Sequence, residues 1–495
     1  MRKKIFDFLF KNQNVRQIVA KNTFWLSFGE IAGRVIRAAI IIYAARVLGA
    51  AGWGAFSYAI SLAGFFTIFS DFGVSSILTR EAAKNDTFRL KYLSTIFFIK
   101  LILAAITLIL IIFAAPYFTK IEEAKYLLPI IAFVMTFDTL RNMAIAFNNA
   151  LEKMEVNAVI NISTNLAIVG LGIAFLLISP KSSYLAVGYA LGTGVGLAVA
   201  VGTLRKYFKD IFSRFSRELI VPILKSAWPF TLLGLLGIIM INTDTIMLGW
   251  MRSAAEVGFY SAAQRPIQFL YALPAVLATS IFPNLARWAK SNDKKFGFLL
   301  ERSMILVFTA ALPLCLGGII LGPEIIYLLY GAPYYASILA FQILMLTLLA
   351  AFPSTLIGNA IFAYDRQKSF IGFIGLGALS NVLLNFFLIP WFGIYGSATA
   401  TIFAQLLAIG FIWAKMKKIN YFEVFPHLKK IIFTTAIMVF FVLLLKYLGV
   451  IFYLNIIFSA LIYFLILYLL KEPILTEIKK TFRPEPGVYP HTNSK

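Results

Sequence analysis

Tyr92-Leu-Ser-Thr-Ile-Phe-Phe-Ile-Lys100-Leu-Ile-Leu-Ala-Ala-Ile-Thr-Leu-Ile-Leu-Ile-Ile-Phe-Ala-Ala-Pro116 carries a single charge. Coiled as a helix at about 1.5 Å per residue, it reaches past a hydrocarbon core about 30 Å thick. About fourteen such stretches follow one another with almost no soluble insertion between them. They lie near residues 23–47, 55–79, 92–116, 127–150, 157–179, 184–204 and 222–249. The remainder lie near 258–283, 302–321, 335–362, 369–389, 394–414, 431–445 and 451–470. With 60% hydrophobic residues over 495 and a mean hydropathy of +0.84, the chain is an all-α polytopic membrane protein. No segment outside these stretches is long enough to fold as a domain, so function is expected between helices.

The formal net charge of +23 would point to nucleic acid in a soluble protein, but here its placement argues for topology instead. About 34 of the 45 Lys and Arg fall on one side of the expected membrane and about 6 on the other. Under the positive-inside rule the first side is cytoplasmic, which places both termini inside a cell-membrane protein, with a secondary attraction to anionic lipid headgroups. Cys315 is the lone cysteine, within a span, so no internal disulfide or cysteine metal site is expected. His427 and His491 are the two histidines, both in cytoplasmic segments, which excludes a histidine cluster or a Ser-His-Asp triad. No Walker A motif occurs, and the charged first 22 residues do not read as a cleavable signal. No cofactor, metal site or catalytic residue is expected. Asn85-Asp-Thr and Asn161-Ile-Ser match the glycosylation pattern but fall in a cytoplasmic loop and within a span.

Ala50-Ala-Gly-Trp-Gly54-Ala-Phe56-Ser57-Tyr-Ala59 reappears as Ala254-Ala-Glu-Val-Gly258-Phe-Tyr260-Ser261-Ala-Ala263. A displacement of 204 positions superposes Gly, aromatic, Ser and Ala, and preserves span boundaries. Recurrent small-residue patterns of any helical bundle are the blander explanation. A true repeat gives a cytoplasmic tail (1–22), a six-helix lobe (23–204), a basic linker (205–221) and a second six-helix lobe (222–414). A basic loop with two added helices (415–470) and a cytoplasmic tail (471–495) complete it. The repeats are parallel, about an axis along the membrane normal, an arrangement suited to alternating access. The two added helices, having no counterpart, are expected on the outside of the second lobe. Gly188, Gly192 and Gly196 read as a close helix contact.

Ionisable residues far from either surface are the informative ones. Arg34 lies near mid-depth, about 15 Å from either interface, too far to snorkel. Glu30 is four residues away and can pair with it. Arg37 has no partner in its span, so it meets a carboxylate elsewhere or faces a hydrated cavity. Asp71 sits near a helix end with Arg80 as one candidate partner, Asp138 and Arg141 can neutralise each other, and Lys100 is expected to snorkel. Asp244 and Arg265, in adjacent spans, are expected to form a structural ion pair. The 204 displacement sets Ile238 on Arg34, Ile241 on Arg37 and Ala275 on Asp71, so the electrostatics belong to the first lobe. The interior charge sums to about +1, which favours an anionic ligand.

Arg34-Val-Ile-Arg37, Ala45-Arg46-Val-Leu-Gly49, Gly54-x-Phe-Ser-Tyr and Asp71-Phe-Gly73 resemble the opening of the polysaccharide-biosynthesis, or oligosaccharide flippase, family. Asn242-Thr-Asp244-Thr-Ile-Met-Leu-Gly249 and Val257-Gly-Phe-Tyr-Ser-Ala-Ala263 resemble the start of that family's second half. The resemblance covers roughly residues 20–470, within the multidrug, oligosaccharidyl-lipid and polysaccharide exporter superfamily. It implies movement of a polyprenyl-(di)phosphate-linked oligosaccharide between leaflets. Membrane lipids and glycan polymerase or transferase proteins are the implied partners, nucleic acid is not, and a coupling ion is left open. Arginines can bind phosphate bidentately, so the candidate substrate contacts are Arg34, Arg37, Glu30 (positioning Arg34), Arg265 and Asp71. A drug/cation antiporter of the same superfamily should lack mid-depth arginines, and a membrane glycosyltransferase or polymerase needs a large outer loop with acidic residues.

Overall fold

In hydrocarbon every backbone N–H and C=O must be satisfied within its own segment, so apolar stretches of this length fold as helices. A computed structural model describes residues 15–84 and 86–470, and no strand occurs among them. The outermost tails (1–14 and 471–495), Asn85 and His491 lie outside the described residues.

The chain begins with α1 (Val15–Phe66), α2 (Ile68–Asp71), α3 (Val74–Lys84) and α4 (Asp86–Ile109). Pro116 falls in the 3-10 turn that follows α4. Next come α5 (Glu122–Ala150), α6 (Met154–Ile178) and α7 (Ser182–Thr203), then a linker holding α8 (Phe208–Ser213). The second half runs through α9 (Ile220–Met251), α10 (Ala254–Leu270), α11 (Ala272–Trp288) and α12 (Asp293–Ile320). It continues through α13 (Gly322–Tyr330), α14 (Ser337–Met345) and α15 (Leu348–Ala363) to α16 (Gln367–Ile419), α17 (Lys429–Tyr447) and α18 (Phe452–Leu469).

Eleven described helices are long and apolar enough to cross a membrane, or twelve if α14 and α15, bent by 41°, form one span. That is fewer than the fourteen expected. Two of the eleven run for 51 and 50 residues, well beyond one bilayer at about 1.5 Å per residue. Each contains a glycine in the left-handed region, Gly49 (φ 66°) in α1 and Gly393 (φ 55°) in α16, where helical geometry is lost. The loops expected around residues 48–54 and 390–393 are thus compressed into single glycine breaks. The first helix also starts earlier than expected. Lys21, placed by sequence in a free tail, is buried in α1 with Nζ 3.1 Å from Glu155 Oε2.

The face of the bundle where the linker lies is the linker face; there Ser94 donates to Ile211 O at 2.6 Å. On the opposite face α1 and α10 cross backbone to backbone. A Cβ on Gly54 would sit 1.7 Å from Ala254 O, and one on Gly258 would sit 1.9 Å from Ala50 O. The contact is reciprocal under the 204 displacement, which carries Ala50 to Ala254 and Gly54 to Gly258. Nearby, Tyr334 donates to Ala45 O at 2.8 Å and the Arg46 guanidinium to Leu329 O at 2.8 Å. The glycine row of α7 presses against α6 as expected: a Cβ on Gly192 would stand 2.6 Å from Ile168 Cα.

Because backbone cannot yield as a side chain can, Gly54→Leu is expected to force α1 and α10 apart and convert the protein to aggregate on size-exclusion chromatography. Gly170→Leu, where an added Cβ would meet no side chain and no other helix within 4 Å, should keep a monodisperse peak. Equal behaviour of the two variants would refute the crossing.

Candidate functional site

Two cavities lie between the helices and share part of their walls. The first, about 800 Å³, is walled almost wholly by apolar side chains from α1, α10, α12, α13, α14, α17 and α18, with Arg34, Arg37 and Arg265 also in its wall. The second, about 700 Å³, extends towards the linker face and is more polar, with Glu30, Arg34, Gln268 and Gln405 in its wall. Arg34 and Gln268 belong to both walls and mark the junction.

Of the candidate residues, Arg34, Arg37 and Arg265 line the first cavity, and Arg34 with Glu30 lines the second. Arg34 is half exposed; its Nη1 donates to Gln268 O at 3.4 Å, and Nε lies 3.9 Å from Glu30 Oε2. An ion pair that long and that exposed holds little energy, so Glu30 orients Arg34 only loosely. Arg37 donates through Nε to Asn165 Oδ1 at 2.7 Å. Arg265 reaches the same place from α10, with Nη1 3.3 Å from Gln268 Oε1, while its buried Nε has no hydrogen-bond partner. Among the described residues neither Arg37 nor Arg265 has a carboxylate within 4 Å. Two guanidinium groups from α1 and one from α10 thus edge a cavity with donors to spare, a geometry suited to a multiply charged oxyanion.

Asp71 does not join them. It lines neither cavity, and its Oδ1 is 2.7 Å from the Nζ of Lys100, which is itself buried and also donates to Ser75 Oγ at 2.7 Å. Lys100 therefore does not snorkel. The break between α2 and α3 at Phe72 and Gly73 offers it a carboxylate and a hydroxyl, and these offset the cost of dehydrating the ammonium. The alternative partner, Arg80, bonds Glu81 at 2.7 Å instead. Asp138 and Arg141 pair at 3.0 Å, as expected for residues three apart.

The expected Asp244–Arg265 ion pair is absent. Asp244 Oδ1 accepts from Asn381 Nδ2 (3.0 Å) and Asn385 Nδ2 (2.7 Å), and Oδ2 from the Tyr260 hydroxyl (2.6 Å) and Thr401 Oγ1 (2.8 Å). The helix turns about 100° per residue, so the five positions from Tyr260 to Arg265 rotate it by about 140°. Tyr260 consequently faces α9 and α16 while Arg265 faces the cavity. Matching depth in the membrane had said nothing of this rotation.

The two C-terminal helices pack on α12 of the second half, yet they also border the cavity, which their place outside the repeat did not suggest. Met438 and Val442 of α17, with Ile456, Ser459 and Tyr463 of α18, form part of the apolar cavity wall. Pro313 in α12 lacks an N–H, which frees the carbonyl of Thr309 four residues earlier. The Tyr463 hydroxyl donates to that carbonyl at 2.8 Å. Lys446 adds an ion pair to Glu324 at 2.8 Å. The sequence reading also missed Asn165, Gln268, Asn381 and Asn385. The last two, four apart in an apolar stretch, were a legible signal, because polar side chains on one face of a span need partners.

Residues 19–289 match the model of a family described as polysaccharide biosynthesis protein. A putative O-antigen transporter of Shigella flexneri is 23% identical over 77% of this chain and 93% of its own length. The probable low-salt glycan biosynthesis flippase Agl15 of Haloferax volcanii is also 23% identical, over 77% of this chain and 80% of its own. Among solved structures, the lipid II flippase MurJ in an inward-closed conformation superposes with a TM-score of 0.75 at 18% identity, covering 91% of this chain and 99% of that one. An inward-facing multidrug transporter of the MATE family gives a TM-score of 0.59 at 14% identity, covering 84% and 98%. The fold is that of these all-helical transporters.

Proposed function

Because the chain belongs to the polysaccharide biosynthesis protein family, matched over residues 19–289, we propose that it is a flippase for a polyprenyl-(di)phosphate-linked oligosaccharide, moved from the cytoplasmic to the outer leaflet for cell-surface glycan assembly. The observation that carries this reading is the convergence of Arg34, Arg37 and Arg265 where an apolar cavity meets a polar one. The three parts of such a substrate match the three parts of the site. A phosphate or diphosphate loses its water in hydrocarbon, at a cost that only charge-assisted donors offset. The arginines supply those donors. The glycan occupies the polar cavity, and the first part of the prenyl chain lies against the apolar wall that α17 and α18 complete.

Alternating access then requires the halves 23–204 and 222–414 to rock about their shared axis. The reciprocal Gly54–Gly258 crossing supports a pivot at the face opposite the linker. The excess of basic residues on the linker face supports its placement in the cytoplasm, with both termini. Transport of this kind breaks and forms no covalent bond, so the chain acts as a carrier rather than an enzyme. A cationic drug is a poor alternative cargo, since three arginines edge the cavity and would repel it.

Deleting the gene is expected to make one lipid-linked oligosaccharide accumulate, with its glycan shielded from periodate or lectin applied outside intact cells. Restoring the chain should expose it. Accumulation on the outer side, or none at all, would oppose the proposal.

A further inference from the structure

We infer that the polar, linker-side cavity selects glycans whose enclosed sugars carry no negative charge, an inference that rests on the flippase reading above. Among the described residues lining this cavity, the charged side chains are Glu30, Arg34 and Asp244. Arg34 is the only cation, and it stands at the junction where the phosphate is held. The Asp244 carboxylate is occupied by neutral donors from Tyr260, Asn381, Asn385 and Thr401. The Glu30 carboxylate is half exposed and faces the cavity space, with Arg34 no nearer than 3.9 Å.

The remaining wall is mostly aliphatic, and set into it are the amides and hydroxyls of Gln264, Gln405, Ser354 and Thr355, beside the rings of Phe370 and Phe373. Amides and hydroxyls both donate and accept, which suits sugar hydroxyl and acetamido groups. Aromatic rings suit the C–H faces of a sugar. A uronate or other acidic sugar brought here would meet the Glu30 carboxylate and find no unengaged cation. In a partly dehydrated cavity that repulsion is screened far less than in bulk water.

The test uses the full chain reconstituted in vesicles and two polyprenyl-diphosphate trisaccharides, identical except that one hexose of the second is oxidised to its uronic acid. The wild-type protein is expected to flip the neutral probe at least tenfold faster. The ratio of the two rates is taken within each variant, so that a general loss of activity cancels. Glu30→Gln should bring the ratio towards unity. Ser354→Lys, which adds a cation to the same wall, should do so independently and provides the readout if Glu30→Gln is inactive. Equal rates in the wild type, or faster flipping of the acidic probe, would overturn the inference while leaving the flippase reading intact. Discrimination that neither variant alters would overturn it too, because the cavity's charge would then not be its source. Failure to flip either probe would remove the flippase reading and the inference with it.

Discussion

Arg37→Ala is expected to reduce transport by more than tenfold without loss of folded protein. Arg37 donates to Asn165 Oδ1 at 2.7 Å, which fixes the guanidinium plane and leaves its other donors at the cavity edge. Removing one charged contact in a partly dehydrated site costs about 1.5–3 kcal/mol, and each 1.4 kcal/mol is about a factor of ten in affinity. Arg37→Lys should retain part of the activity, because lysine keeps the charge and loses the planar fork. Arg34→Ala should have a comparable effect. Glu30→Gln should cost the neutral substrate little, since the pair it breaks is 3.9 Å long and half exposed. Initial flipping rates in vesicles, normalised to monodisperse protein, check these outcomes. The competing account makes Glu30–Arg34 a purely structural pair. It requires the double change Glu30→Gln with Arg34→Gln to transport normally, and that result would remove Arg34 from the phosphate site.

Asp244→Ala is expected to lower stability by about 3 kcal/mol or more, since each buried donor left without an acceptor costs about 1–3 kcal/mol. Tyr260, Asn381, Asn385 and Thr401 would each lose the bond to the carboxylate in a membrane interior where little water can replace it, and Asn385 and Thr401 would fall back on Asn381 Oδ1 and Ser397 O. Because Asn381 and Thr401 stand on opposite sides of the Gly393 break, the substitution also loosens the two arms of α16 from α9. A fall of several degrees in the thermal midpoint of detergent-solubilised protein is the expected reading. Asp244→Asn keeps the shape but turns a donor towards other donors, so it should fall between the two. An alanine variant as stable as the wild type would show that the cluster contributes nothing to the fold.

The fold class was legible because a hydrocarbon solvent leaves a chain like Tyr92 to Pro116 little choice but a helix. The mid-depth arginines were legible for the same reason: Arg34 and Arg37 stand out where charge is costly. What pairs with what was not. Asp244 of α9 and Arg265 of α10 lie in adjacent spans, yet hydropathy carries no information about rotation around the helix axis, and α10 turns Tyr260 rather than Arg265 towards Asp244. Lys100 looked free to reach the surface because its carboxylate, Asp71, lies on another helix beside a break that only Phe72 and Gly73 hint at. The absence of α17 and α18 from the internal repeat suggests only that they pack on the outside of the second lobe and says nothing of the cavity they border. Their position is set instead by local chemistry, including the carbonyl that Pro313 frees and Tyr463 takes up.

The most direct test of the account is translocation in vesicles of defined orientation. A fluorescent polyprenyl-diphosphate oligosaccharide with a neutral glycan is placed in one leaflet, and its appearance in the other is followed by impermeant quenching or lectin binding. Wild-type protein is expected to move the lipid across the bilayer, Arg37→Ala and Arg265→Ala to be slower by more than tenfold each, and the corresponding polyprenol without phosphate to stay in its leaflet. Equal translocation by wild type and both arginine variants, or equal carriage of the phosphate-free lipid, would contradict the account.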